Sequence, residues 1–425
     1  MKWSNGNIWN NSILLLISRV LAKLATMGVV VVTARCLGVE GFGIFNSVIA
    51  VSMFAGIVSE FGLMMPTIRS ISNSDTKDGS VVVRSLSFRI IASAGACILT
   101  VFAGWYVALD PLVILILSIA SVFELNGTTL IRSFEGVNDF RLVSVYTVIE
   151  RLLYGSIVII SALLFRSVTA LSIGILLADS IYVAVAYSAF QRRFGRITFV
   201  FTVKDLREYA LMGLPFLLTT VFSNVYYKID TILIGHLASM QDVGIYNAGM
   251  RILDAQMMVP ITVMTSVFPQ LSLLFHQRSA EYGATVKKYL LFMTSAGIIF
   301  SVLTFAVAGV IVPLLYSESY TNAINILQIL SLMLVFFFIN ALLFQTLISM
   351  HKELVFTGIM LFSAAASLIL NVLLIPRYGI VASAWVRVAI ESSTCIFAGA
   401  YIFSRLSSVS VQDHNAHERS GIHRL

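Results

Sequence analysis

The sequence is short of charge. Only 12% of its 425 residues are Asp, Glu, Lys or Arg, against 58% hydrophobic residues, whereas a soluble globular chain carries about 25% charge. Apolar runs of roughly 18 residues or more recur along the whole length, each able to cross a bilayer. A large soluble core is thereby excluded. Cysteine is nearly absent too. Cys36, Cys97 and Cys395 are far apart, and the last two fall inside apolar runs, so neither a disulfide framework nor a metal-ligand spacing is present. No metal and no cofactor are expected. The chain lacks the GxxxxGK[ST] phosphate loop, which speaks against ATP hydrolysis as its energy source. It also lacks a small-residue cleavage site after Ile13–Val32, so that stretch is expected to be an uncleaved first span. The net charge of +7 is explained by cationic loops on one membrane side, and no nucleic acid is expected as a partner.

What is present is about twelve apolar segments, approximately 11–33, 42–65, 86–108, 111–131, 143–165, 169–190, 211–235, 244–268, 288–314, 322–348, 354–375 and 379–404. They are expected to be helices, because barrel strands give alternating segments of about ten residues. The expected fold class is an all-α integral membrane protein. With an internal N-terminus the inner side receives nineteen cations, Arg69, Arg84 and Arg89 among them, and the outer side only Arg35, Arg166 and Arg377. That bias places both termini in the cytoplasm. The basic stretch 191–207, "QRRFGRITFVFTVKDLR", separates two expected six-helix bundles, 1–190 and 208–405, and a polar tail, 406–425, follows. The halves share an echo at an offset of 201: "VVVVTARCLGVEGFGIFN" (Val29–Asn46) and "DTILIGHLASMQDVGIYN" (Asp230–Asn247) both close on Gly-Ile-aromatic-Asn. A parallel duplication of this kind places its substrate between the halves.

Thirteen ionisable residues fall within the expected spans. They are Arg19, Lys23, Arg151, Lys228, Arg251, Arg387, Glu60, Glu124, Glu150, Asp179, Asp230, Asp254 and Glu391. In lipid such groups face a bundle interior or a wet cavity and mark function. A local reading stands beside that one. Arg251–Asp254 and Arg387–Glu391 have the spacing of ion pairs on one helix face, and Arg151, beside Glu150, can snorkel to the interface. Glu60 and Asp179 lack a partner on their own helix. Lys228 and Asp230, two apart, point to different faces. Arg19 and Lys23 are four apart on one face, of like charge, about 12 and 18 Å deep at 1.5 Å per residue. No acid shares their helix, so they are read as anion contacts or as partners of Glu60. The pair Tyr226–Tyr227 is read as helix packing or as a platform for sugar rings.

Two motifs carry a family resemblance. "ARCLGVEGFGIFNSV" (Ala34–Val48) resembles the pattern joining spans one and two of polysaccharide-export flippases, and "LIPRYGIVASAW" (Leu374–Trp385) the pattern between spans eleven and twelve. The chain thus resembles the MOP superfamily of multidrug, oligosaccharidyl-lipid and polysaccharide exporters, within it the O-antigen flippase (Wzx-like) branch. The resemblance implies a V-shaped, non-enzymatic transporter of the bacterial inner membrane working by alternating access. Its cargo would be an oligosaccharide repeat unit on undecaprenyl pyrophosphate, its coupling ion plausibly the proton, its partners an O-antigen polymerase and a chain-length regulator. Arg19, Lys23, Lys228, Arg251 and Arg151 are the candidate cations for the pyrophosphate or acidic sugars. Glu60, Glu124, Asp179, Asp230 and Asp254 are the candidate charge-balancing or proton-carrying acids. The alternatives are a MATE-like drug/cation antiporter, disfavoured by cations in the first span, and a lipid II flippase, disfavoured by the chain's length. A pathway polymerase or ligase would need a large outer loop, and the outer loops here are short.

Overall fold

The computed structural model describes the backbone of residues 5–73, 80–195, 203–277, 279 and 281–421, and side chains within 25–73, 80–195, 207–277, 279 and 281–405. Among them there are helices and turns and no strand. In chain order the helices are α1 (Asn5–Glu60), α2 (Met64–Asn73), α3 (Ser80–Tyr106), α4 (Pro111–Arg132), α5 (Phe140–Phe165), α6 (Val168–Phe194) and α7 (Val203–Leu237). There follow α8 (Met240–Gln256), α9 (Met258–His276), α10 (Glu281–Tyr316), α11 (Asn322–Ser331), α12 (Met333–Ser349) and α13 (Glu353–Gly421).

Ten helical stretches of the described residues are long and apolar enough to cross a membrane. Two of them, Ala25–Asn73 and Glu353–Arg405, hold 49 and 53 residues, too many for one crossing of about 20 residues. Each breaks at a glycine: Gly38 (φ 70°, ψ −179°) in α1 and Gly379 (φ 64°, ψ −155°) in α13. Divided there, the ten stretches become the twelve expected from sequence. Positive φ strains any residue with a Cβ, and both glycines fall inside the two quoted motifs. Those motifs therefore encode turns between consecutive spans. Other ends are set by side chains. Asp110 accepts the Leu112 amide at 2.9 Å, with Pro111 opening α4, and Asp139 accepts the Leu142 amide at 3.1 Å at the start of α5.

The chain resolves into two compact units, Met1–Asn247 and Ala248–Leu425. In the first, Val29, Phe45, Val48 and Val51 of α1 pack against Val113, Ile114 and Leu117 of α4, Val158 of α5, and Leu171 and Ile175 of α6. In the second, α12 packs against α9, α10 and α13, burying Phe338, Leu342, Leu343 and Leu347. Large apolar side chains elsewhere stand outward, Ile98, Leu99 and Phe102 on α3 and Leu291, Val310 and Leu314 on α10, as a lipid-facing surface requires.

The offset echo is a physical contact inside the first unit. A Cβ on Gly43 would stand 1.7 Å from the Met240 carbonyl oxygen, and one on Gly244 would stand 2.0 Å from the Val39 carbonyl oxygen. Gly43 and Gly244 are 201 apart, and so are Val39 and Met240. The two segments thus touch backbone to backbone in a reciprocal way, each glycine receiving the other segment's carbonyl. The closing asparagines repeat the same bond: Asn46 Nδ2 donates to the Phe42 carbonyl at 2.8 Å and Asn247 Nδ2 to the Val243 carbonyl at 3.0 Å.

Candidate functional site

Most of the charged candidates that the structure brings together lie on α4, α5 and α6 of the first unit. Arg151 Nε meets Glu150 Oε2 at 3.0 Å, and Arg151 Nη2 meets Glu124 Oε1 at 3.5 Å. Asp179, buried on α6, interacts electrostatically with Glu124, Glu150 and Arg151. Three carboxylates thus surround one guanidinium among the described side chains. Glu150 is 5% exposed and its Oε1 has no hydrogen-bond partner. An orphaned buried carboxylate oxygen is costly, a cost that Glu391 Oε1 bears in the second unit as well.

Two cavities flank this cluster. The first, about 440 Å³, lies among α1, α4 and α7 and is lined by Glu60, Ser121, Glu124, Thr220 and Asn224 with Met53, Met65 and Phe216. The second, about 230 Å³, is lined by Glu150, Arg151, Thr128, Thr147, Tyr182 and the Arg132–Glu135 pair, which closes at 2.9 Å. Arg151 lines the second cavity and also reaches Glu124 of the first at 3.5 Å. Helix α7 lies close over the first cavity. A Cβ on Gly213 would stand 2.2 Å from the Phe61 carbonyl oxygen, and one on Gly62 would stand 2.6 Å from that of Gly213.

Glu60 has a further task. Its Oε2 accepts the Gly62 amide at 3.0 Å and its Oε1 the Met64 amide at 2.5 Å, so it satisfies orphan donors at the turn into α2. Arg89 lies within its electrostatic reach. Arg89, expected in the inner basic loop, lies within a helix instead. Arg89 is fully buried on α3, donating to Thr129 Oγ1 and to the Leu125 carbonyl at 3.2 Å. The expected span 86–108 already contained position 89, and that was the available signal. Glu150 was weighed only as the neighbour of Arg151, because sequence does not reveal a cavity.

The remaining candidates are placed elsewhere. Arg19 and Lys23 lie outside the described side chains. Asp230 is buried and accepts the Tyr246 hydroxyl at 3.0 Å. Lys228, half-buried, stands one helical turn beyond the cavity-lining Asn224 on α7. Tyr226 and Tyr227 meet edge to face at 5.0 Å, the first buried and the second 39% exposed. In the second unit Arg251 pairs with Asp254 at 3.7 Å and Arg387 with Glu391 at 3.4 Å, as the local reading expects. Asn340 Nδ2 adds a bond to Glu391 Oε2 at 2.9 Å.

The model of the polysaccharide biosynthesis protein family matches residues 8–275. The chain belongs to that family. The MatE family model matches residues 215–373 of this polysaccharide biosynthesis protein. A Shigella flexneri protein named "Putative O-antigen transporter" is 24% identical over 397 residues, which is 88% of this chain and 93% of that one. An uncharacterised membrane protein of Methanocaldococcus jannaschii is 24% identical over 294 residues, 68% of this chain and 55% of that one. Among solved structures, the lipid II flippase MurJ in an inward closed conformation superposes with a TM-score of 0.73 at 13% identity, covering 94% of this chain and 90% of that one. An inward-facing multidrug MATE transporter of the MOP superfamily gives 0.59 at 15% identity, covering 92% and 95%. The family member described here is thus an all-helical, multi-pass membrane protein with the MOP transporter fold.

Proposed function

We propose that this protein is a flippase that carries a lipid-linked oligosaccharide repeat unit, of O-antigen type on undecaprenyl pyrophosphate, across the bacterial inner membrane by alternating access. The single observation that carries the reading is the cluster of Glu124, Glu150, Arg151 and Asp179 beside two cavities, in a member of a polysaccharide biosynthesis family. Ionisable groups kept at membrane depth and facing cavities belong to a transport path. In this reading residues 1–190 and 208–405 are the two six-helix halves, joined by 191–207, with 406–425 and the N-terminus in the cytoplasm. Arg19, Lys23, Lys228, Arg151 and Arg251 attract the pyrophosphate or acidic sugars at different stages. Glu60, Glu124, Asp179, Asp230 and Asp254 balance those cations when the path is empty, and protons on one or more of the acids reset the cycle. The polymerase and the chain-length regulator act on the delivered unit. The protein binds and moves its cargo and breaks no bond in it.

The test is complementation of a strain lacking its own O-antigen flippase, scored by surface polysaccharide. Wild-type restores it, and Arg19→Ala with Lys23→Ala together abolish it while the chain still reaches the membrane. Full activity of that double variant removes the cationic contact from the proposal. Rescue of a lipid II flippase-null strain in place of the O-antigen strain reassigns the cargo.

A further inference from the structure

We infer that Arg89, buried behind the first cavity, is a positioning residue of the transport path. It holds Glu60, and through Glu60 the turn that seats α7 as a wall of that cavity. The inference rests on the flippase reading for what the cavity carries, and it deepens that reading by naming what keeps the wall in place. Arg89 is fully buried on α3, where an unbalanced charge is costly. Its Nη1 donates to Thr129 Oγ1 and its Nη2 to the Leu125 carbonyl at 3.2 Å. Thr129 Oγ1 in turn donates to the same carbonyl at 2.8 Å, which leaves its lone pairs to accept from the guanidinium. These bonds moor the cation to α4, with the Glu60 carboxylate within its electrostatic reach.

Glu60 ends α1 and lines the cavity. Its two oxygens accept the Gly62 and Met64 amides, as an ionised carboxylate does, and a guanidinium attracts that charge. The turn so pinned is where α7 comes close. A Cβ on Gly213 would stand 2.2 Å from the Phe61 carbonyl oxygen, and one on Gly62 would stand 2.6 Å from the Leu217 amide nitrogen. Gly62 also has a φ of 70°, which a Cβ would strain. Apolar contacts complete the seat. Phe61 meets Phe88 edge to face at 5.1 Å, Phe88 meets Tyr209 of α7 at 6.5 Å, and Leu63 is buried among them. Beyond the seat, Phe216, Thr220 and Asn224 of α7 line the cavity. Pro215 stands between the two parts of the helix, and a proline there removes a helical hydrogen bond and permits a bend. A turn released at Glu60 therefore frees α7 to bend at Pro215 and widen the cavity.

The test is the rate at which a small water-soluble maleimide labels a cysteine in each cavity. The full-length protein is used in lipid nanodiscs, with Cys36, Cys97 and Cys395 replaced by alanine. Thr220→Cys reports the first cavity and Thr147→Cys the second. Arg89→Met and Glu60→Gln should each raise labelling at 220 severalfold and leave labelling at 147 unchanged. Gly213→Ala, which forces the seat apart with Arg89 in place, should do the same. Arg89→Met with Glu60→Gln should label no faster than the quicker single variant, because both act on one turn. Arg89→Lys, which keeps the charge and loses the planar fork, should fall between wild-type and Arg89→Met. Three outcomes overturn the inference: unchanged labelling at 220 in Arg89→Met or Gly213→Ala, additive effects in the double variant, or an equal rise at 147, which is general loosening of the fold. Complementation separates the two levels. If wild-type restores surface polysaccharide while the labelling pattern fails, only the role of Arg89 is lost. If the labelling pattern holds and wild-type fails to complement, the flippase reading falls and the seat of α7 stands.

Discussion

The two compact units treat the same chemistry in opposite ways. In the second, Arg387 and Glu391 are 0% and 2% exposed, one turn apart on one helix, and Asn340 Nδ2 donates to Glu391 Oε2. In the first, Arg151 and Glu124 are about one-third exposed, come from different helices, and share their surroundings with Glu150 and Asp179. The buried pair is a local solution to a local cost, since removing either partner strands a charge in a dry interior. The cluster of the first unit borders open volume and, among the described side chains, sets three acids around one arginine. Charge within a span is therefore a poor guide to function when taken alone. Adjoining cavities make it informative.

The largest effect should come from splitting the dry pair. Arg387→Met leaves Glu391 buried without its cation and should cost on the order of 3–5 kcal/mol, seen as a lower melting midpoint of the purified protein. Arg387→Met with Glu391→Met should recover most of that loss. Equal melting of single and double variants would show that the pair is not the structural unit described. Next come the reciprocal glycines. Gly43→Ala and Gly244→Ala each push a methyl into a backbone carbonyl and should each cost on the order of 1–3 kcal/mol. Gly28→Ala, with nothing within 4 Å of the added methyl, should be neutral or slightly stabilising. Unequal costs at 43 and 244 would break the reciprocity that the geometry gives them.

Arg151 should show the contrary pattern. Its side chain is 33% exposed although its partner Glu150 is buried, so Arg151→Gln should lower the melting midpoint by clearly less than the loss of about 3–5 kcal/mol expected at Arg387. Surface polysaccharide in the complementation assay should nevertheless fall severalfold, because the second cavity loses its Arg151 lining and Glu124 of the first loses its partner. A large stability loss with normal transport would move Arg151 into the same class as Arg387.

Much of this was legible in the residues. Apolar run length gave the spans, because each must satisfy its backbone within lipid. Even the two long helices divide at Gly38 and Gly379, which the quoted motifs contain. The i,i+3 and i,i+4 spacings gave the pairs of the second unit correctly, since a helix fixes its own neighbours. The echo ending in Gly43–Asn46 and Gly244–Asn247 pointed to a repeat but not to its meaning, the mutual contact of the two copies. The site was less legible. Glu124 and Arg151 are 27 residues apart, and spacing along one helix carries no information about a partner on another. Arg89 was missed because a cation close to a span's end is ordinarily a loop cation. Its burial depends on Thr129 and the Leu125 carbonyl, which α4 brings alongside α3.

The smallest effect is the one that tests the comparison most finely. Arg251 and Asp254 are paired at 3.7 Å, three residues apart, with side chains 23% and 24% exposed. They resemble the dry pair in spacing and the cavity cluster in wetness. If burial is what separates the two classes, their coupling should lie at the wet end. A double-mutant cycle of Arg251→Gln and Asp254→Asn, read by melting, removes the other contacts of each residue from the result. It should give about 0.3–0.5 kcal/mol, the value of an ordinary pair on a partly exposed helix face. The same cycle at Arg387 and Glu391 should give several times more. A coupling at Arg251–Asp254 as large as that of the buried pair would mean that spacing along the helix, rather than burial, sets the energy. The division between structural and functional charge in this protein would then have to be drawn on the cavities alone.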